Sequence, residues 1–139
     1  MDGGVVTFII AIIILGVFLF IAFALTGKRG HKFDIQEYQS KFLAIENKLN
    51  RENNATFPLT IINCDKLLDR ALVEMGVPGK TMGDRLKRSS DKFSDVNSVW
   101  RVHKMRNMIA HENDYELSFK QAHNALEIYK QALKDLGAI

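Results

Sequence analysis

Arginine, asparagine and histidine side chains lie close together near the end of one predicted helix. Arg106 and Asn107 are adjacent, and His111 follows within the same short stretch. An arginine fork can hold a phosphate and stabilise the charge that develops on it, and a histidine can transfer a proton near neutral pH. RNA carries its own nucleophile, the 2′-hydroxyl, so these groups suffice to cut it without a metal ion or cofactor. The products would be a cyclic phosphate and a 5′-hydroxyl.

The helix that carries these residues is predicted from about residue 96 to residue 109 or 111. At about 100° per residue, His103, Asn107 and His111 share one polar face, because they are spaced four residues apart. Arg106 lies at the edge of the apolar face. We therefore expect Asn107 to orient the reacting groups and His103 to support them as a second proton carrier. A solvated surface histidine is the alternative interpretation of His103.

An arginine at the edge of a core needs an anionic partner. Asp65 and Asp69, four apart on an earlier predicted helix, are the candidate partners within the chain, and a ligand phosphate is the other. Arg106 and His111 are about 140° apart around an ideal helix. They form one site only if the helix loosens near its end, or if two copies of the chain meet and each supplies part of the site.

The N-terminal segment is apolar over the length of a bilayer core. From Val5 to Leu25 there is no charged residue, and about 21 residues span roughly 31 Å as a helix. A core helix would carry a polar face, and a signal peptide would have basic residues before a shorter apolar run. Ala22-Phe23-Ala24 does resemble the cleavage site of a signal peptide, so cleavage is the alternative. The sequence favours a retained single-span anchor through residues 5–25.

Charged residues on either side of this segment predict its orientation. Lys28, Arg29 and Lys32 follow it directly, whereas only Asp2 precedes it. The positive-inside rule then places the C-terminal part in the cytoplasm. The single cysteine, Cys64, has apolar neighbours and is predicted to be a buried thiol, which fits a reducing compartment.

Two helices are predicted directly after the anchor. Asp34 is a candidate N-cap, and Glu37 completes a capping-box pattern, which predicts a helix over residues 35–51. Pro58 suits the first turn of the next helix, because the N–H group that it lacks has no partner there. Gly76 then marks the end of that second helix.

Three further helices follow before the end of the chain. A Gly-Pro turn leads into a short helix over residues 81–88, and Ser94 or Asp95 is expected to cap the helix that carries Arg106. Ser118–Gln121 has the pattern of a second capping box and opens the last helix, which Gly137 stops.

These patterns give an all-α protein in three parts. Residues 1–27 are a transmembrane anchor, residues 28–33 a juxtamembrane linker, and residues 34–139 a helical bundle of four to five helices. Short loops favour antiparallel neighbours in that bundle. Beyond the anchor there are 19 basic and 15 acidic side chains, because Asp2 is the one charged residue removed from the total. This mild excess of positive charge is compatible with RNA.

The pattern Arg106-Asn107-x-x-x-His111, at the end of a helix in a small all-α domain and followed by one more amphipathic helix, resembles the HEPN family (higher eukaryotes and prokaryotes nucleotide-binding). The resemblance covers about residues 34–137. Members of that family are α-helical bundles that commonly form dimers. Many of them are metal-independent endoribonucleases in toxin–antitoxin, antiviral or RNA-processing systems.

The resemblance implies a catalytic arrangement. Arg106 and His111 would act from both subunits in a cleft at a homodimer interface, with Asn107 in support and no metal or cofactor. We therefore expect a membrane-anchored HEPN-like domain that cleaves single-stranded RNA; the sequence names no antitoxin or other protein partner. Some family members are inactive, so the alternative is a non-catalytic helical binding or regulatory module tethered to the membrane.

Overall fold

The computed structural model describes residues 3–26, 31–112 and 114–139, and the described residues are helical without a β-strand. The chain divides into two compact units, Met1–His31 and Lys32–Ile139. The predicted all-α class, with one apolar N-terminal helix followed by a helical bundle, is confirmed.

The first unit contains one helix, α1 (Gly3–Thr26). Among the described residues it is the one helix long and apolar enough to cross a membrane, and its 24 residues extend about 36 Å. Its side chains are exposed as far as Ala22, which disfavours a helix buried in a protein core. The basic residues Lys28 and Arg29 lie outside the described residues, as does the start of the predicted linker.

The described part of the second unit holds five α-helices and one turn of 3-10 helix. They are α2 (Ile35–Glu46), α3 (Thr56–Glu74), α4 (Met82–Arg88), a 3-10 turn (Ser90–Lys92), α5 (Val96–His111) and α6 (Phe119–Asp135). Five helices lie within the predicted range of four to five.

Helix α3 is the centre of this bundle, because α2, α4, α5 and α6 all pack against it. The face that it buries has the spacing of a helix: Ile61, Cys64, Leu68 and Leu72 are fully buried. Each large side chain removed from water in this way contributes about 1.5–3 kcal/mol. Burial raises the pKa of the Cys64 thiol to about 12, and the charge of Asp65 adds to this effect. The prediction of a buried thiol is thus confirmed.

The N-cap of α2 is confirmed, but its capping box is only half formed. The Asp34 carboxylate accepts a hydrogen bond from the Glu37 N–H at 3.0 Å. The Glu37 carboxylate binds Arg70 at 2.9 and 3.2 Å and Lys41 at 2.6 Å. These two cations, Arg70 first, lower the pKa of Glu37 to about 2. Because Arg70 belongs to α3, the carboxylate links two helices and does not close its own cap.

The caps of α5 and α6 follow local sequence signals. Asp95 accepts from the Ser98 N–H at 3.0 Å, so it is the cap of α5. Ser94 is instead bound to Asp135 through its N–H and its hydroxyl. The capping box of Ser118–Gln121 is complete, with both hydrogen bonds present. Gly137 has a positive φ of 75°, which ends α6 as predicted.

Helix α2 is shorter than predicted: it ends at Glu46, whereas the sequence pattern predicts an end near Arg51. The N–H groups of Lys48 and Leu49 donate to carbonyl oxygens three residues back, each at 3.1 Å. The Asn50 N–H donates to the side chain of Thr56. The chain therefore tightens into turns after Glu46. Hydrogen bonds of these turns replace those of a continued helix, and the sequence pattern alone does not show which set forms.

Candidate functional site

One groove between α3, α4 and α5 collects the predicted site residues. Its volume is about 810 Å³. The six predicted candidates all line it: Asp65, Asp69, His103, Arg106, Asn107 and His111. Because Asp65 and Asp69 belong to α3 and the other four to α5, the packing of these two helices brings the set together.

A buried carboxylate organises the inner wall of this groove. Asp65 is only 4% exposed, and its Oδ1 accepts from Tyr129 Oη at 3.0 Å and from His103 Nδ1 at 2.9 Å. Its Oδ2 lies 3.6 Å from Arg106 Nε, within ion-pair distance. Burying a carboxylate costs several kcal/mol unless hydrogen bonds and a positive charge compensate. These partners, from α5 and α6, supply that compensation.

Tyr129 acts as a donor in this arrangement. Burial raises the pKa of its hydroxyl well above the ordinary value, and the charge of Asp65 adds to the effect. The phenol therefore stays protonated and keeps its hydrogen bond to the carboxylate across the physiological pH range.

Four side chains form a closed ring, which we call the polar ring: Asp65, His103, Asn107 and Arg106. A carboxylate can only accept, so Nδ1 of His103 is a donor, and in the neutral ring Nε2 is then an acceptor. Asn107 Nδ2 donates to that Nε2 at 3.4 Å, and Asn107 Oδ1 accepts from Arg106 Nη1 at 3.1 Å. An ion pair between Arg106 Nε and Asp65 Oδ2, without a hydrogen bond, closes the ring. The ring fixes both the amide orientation of Asn107 and the direction of the Arg106 guanidinium.

Two sequence-based expectations about these residues need correction. His103 is 7% exposed and bound to Asp65, so the solvated surface histidine is wrong. Asp69 does not pair with Arg106, because Arg85 of α4 binds it through Nε at 2.7 Å and Nη2 at 2.9 Å. Sequence reasoning missed Arg85. It lies in a different helix, and only the tertiary packing brings its guanidinium to Asp69.

His111 lies at the C-terminal end of α5 and is exposed. The helix stays regular there, since the Glu112 N–H donates to the Met108 carbonyl at 2.8 Å. The predicted loosening of the helix is therefore not seen. Arg106 and His111, about 140° apart around a regular helix, both line the groove. Arg106 leans toward Asp65, with 31% of its side chain exposed to the groove.

Two further groove residues could have been predicted from the sequence. Trp100 and Lys104 line the groove, and their spacing of eleven and seven residues before His111, respectively, places them on or near its helical face. Lys66 follows Asp65 directly, and Lys80 approaches from the loop before α4. Only the fold could indicate that Lys80 belongs to the same groove.

Comparison with known proteins gives no match: no protein-family model, curated protein or solved structure matches this chain. The resemblance to the HEPN family therefore depends on the motif from Arg106 to His111 and on its place in an all-α bundle. The proposed function is therefore based on the residues that line the groove.

The polar ring predicts that Asp65→Asn strongly destabilises the fold. An amide would point a donor at groups that already donate and would leave Arg106 without its counter-charge. We expect the free energy of unfolding to fall by about 3–5 kcal/mol. Trp100 is the single tryptophan, so urea unfolding of the full chain in nonionic micelles can be followed by its fluorescence.

The matched control for this substitution is Asp91→Asn. Asp91 is an exposed carboxylate of the 3-10 turn, and its substitution should change stability by less than about 0.5 kcal/mol. Equal stability of the Asp65→Asn and Asp91→Asn proteins would contradict the role assigned to the buried carboxylate.

Proposed function

We propose that this protein is a membrane-anchored, HEPN-like endoribonuclease that cleaves RNA in the groove without a metal ion. The observation that supports this function is the groove itself. Arg106, Asn107 and His111 line it together with four further cationic side chains. The two carboxylates of the groove, Asp65 and Asp69, are both already paired with arginines. The positive charge that remains suits a polyanion.

In the proposed reaction the RNA 2′-oxygen attacks the phosphorus attached to the 3′-oxygen of the same nucleotide, and the bond from that phosphorus to the 5′-oxygen of the next nucleotide breaks. The exposed edge of the Arg106 guanidinium binds the scissile phosphate and stabilises its developing charge. His111 takes the proton of the 2′-hydroxyl or gives a proton to the leaving 5′-oxygen. The polar ring contributes by holding Arg106 in place before the substrate arrives.

A second copy of the chain completes the proposed site. Arg106 and His111 are about 140° apart around a regular helix, and His111 is exposed at the end of α5. A homodimer that joins the ends of α5 would bring His111 of one subunit to the Arg106 side of the other. The partner subunit's His111 would then transfer the proton at the phosphate that Arg106 binds.

One observation favours a non-catalytic alternative. Arg106 already pairs with Asp65 and donates to Asn107 within its own chain. A purely structural arginine would make contacts of this kind, although the buried Nε of Arg106 has no hydrogen-bond partner among the described residues. In that case the groove binds a polyanion but does not cleave it, and the protein is a tethered binding or regulatory module.

Cleavage of labelled single-stranded RNA by the full chain in nonionic micelles tests the enzymatic proposal. With a chelator in excess, we expect products that end in a cyclic phosphate and a 5′-hydroxyl. His111→Ala should slow cleavage by about 10²–10⁴-fold, because a proton carrier is lost. Arg106→Ala should slow it by roughly 10²–10³-fold, because charge stabilisation at the phosphate is lost.

The chain offers matched controls for both substitutions. His123 is an exposed histidine of α6 outside the groove, and Arg101 is an exposed arginine of α5 outside it. His123→Ala and Arg101→Ala should cleave at the wild-type rate. Wild-type protein that binds RNA without cutting it supports the binding module, and full activity of His111→Ala removes the mechanism.

The membrane part of the proposal depends on α1 and on its flanking charges. Helix α1 has the length and composition of a membrane span. Lys28, Arg29 and Lys32 follow it, and Asp2 alone precedes it. The positive-inside rule then places the bundle in the cytoplasm, where an RNA-cleaving domain would meet its substrate. The same basic residues would be attracted to anionic lipid headgroups.

The chain contains its own reporter of this orientation. Asn54-Ala55-Thr56 is an N-glycosylation sequon, and Asn54 is exposed. In translation with microsomes the wild-type chain should remain unglycosylated, because the sequon stays outside the lumen. A chain in which a cleavable signal peptide replaces residues 1–27 should be glycosylated, and its Asn54→Gln variant should not. A glycan at Asn54 in the wild-type chain would reverse the proposed orientation.

A further inference from the structure

An aromatic side chain lies among the charges of the groove. Trp100 is partly exposed and lines the groove one turn before His103, and the two rings meet edge to face with centroids 6.0 Å apart. Gly83 of α4 lies against the indole, where an added Cβ would be 3.7 Å from Cη2. The absence of a side chain at Gly83 keeps this part of the ring uncovered.

Three lysines of the groove are free to bind a ligand. Lys66, Lys80 and Lys104 are exposed, and their ammonium groups form no ion pair with any residue that the structure describes. Arg85, in contrast, is bound to Asp69 through two nitrogens. Ammonium groups on flexible stems bind phosphates as point charges.

We propose that Trp100 is a base-stacking subsite of the groove, on which one unpaired nucleobase of the RNA stacks while Lys66, Lys80 and Lys104 bind the neighbouring phosphates. An aromatic face beside a track of cations is how proteins hold single-stranded nucleic acid. A base inside a duplex is covered on both faces and cannot reach the indole. This inference rests on the proposed function, because it states how the RNA of that groove is held.

The subsite predicts a preference among bases. A purine covers more of an indole than a pyrimidine does, so an adenine next to the cleaved bond should bind better than a uracil. A lipid headgroup or another polyanion without bases could use the three lysines, but it would leave the Trp100 ring uncovered. The ring therefore distinguishes nucleic acid from other anionic ligands.

The fluorescence of Trp100 reports directly on this subsite, because it is the single tryptophan of the chain. The full wild-type chain in nonionic micelles is titrated with single-stranded oligodeoxyadenylate, which has bases and phosphates but no 2′-hydroxyl to react. We expect saturable quenching, with weaker binding of oligothymidylate. Heparin, a blunt duplex and anionic lipid vesicles should leave the fluorescence unquenched.

Substitutions test the two parts of the subsite by anisotropy of a labelled oligodeoxyadenylate. Trp100→Leu should weaken binding about tenfold, whereas Trp100→Phe should retain most of the affinity. Lys104→Ala should weaken binding and reduce its salt dependence. Lys87→Ala is the matched control, because Lys87 is an exposed lysine of α4 outside the groove. The wild-type titration decides the question even if a Trp100 variant fails to fold.

Each outcome has a distinct meaning. Unquenched fluorescence at a saturating concentration of oligodeoxyadenylate overturns the subsite, as does equal quenching by heparin, duplex or vesicles. Quenching of Trp100 in a protein that cuts no RNA keeps the subsite and removes the nuclease. RNA cleavage without quenching removes the subsite and leaves the proposed function in place.

Discussion

The buried carboxylate of Asp65 is the interaction on which the rest of this groove depends. A carboxylate at 4% exposure is tolerated only if its neighbours supply hydrogen bonds and opposite charge. Those neighbours are Tyr129 of α6 and both His103 and Arg106 of α5. One side chain of the central helix α3 thus fixes how two other helices pack against it. The direction of Arg106, and therefore the phosphate position that we propose, follows from that packing.

The polar ring also explains why the groove is electrostatically one-sided. Asp65 is enclosed by its partners, and Asp69 is held by Arg85. Both carboxylates are paired with arginines, so the three lysines that line the groove carry the positive charge that is unpaired within the described part of the chain. Arg106, which is held by Asp65 and Asn107, is a preorganised cation, and such cations stabilise charge in a transition state without having to move during the reaction. In the proposed enzyme the structural network and the catalytic arrangement therefore share one arginine.

Capping patterns and helical spacing predicted most of the helices. Contacts between helices could largely not be predicted from the sequence. The caps at Asp34 and Ser118 depend on residues within one turn, so spacing was sufficient to find them, whereas the cap of α5 was narrowed only to Ser94 or Asp95. The burial of His103 was missed, because an isolated histidine on a polar face gives no sign of a carboxylate 38 positions away. The pairing of Arg85 with Asp69 was missed for the same reason. A single sequence shows helical faces but not which faces meet.

The central claim is that the RNA site combines Arg106 of one subunit with His111 of the other. It is tested most directly by co-expressing the Arg106→Ala and His111→Ala chains and measuring RNA cleavage. In a mixed dimer one of the two sites would have both residues intact, so the co-expressed protein should regain roughly a quarter of wild-type activity. Cleavage no faster than that of either variant alone would contradict a site shared between two chains.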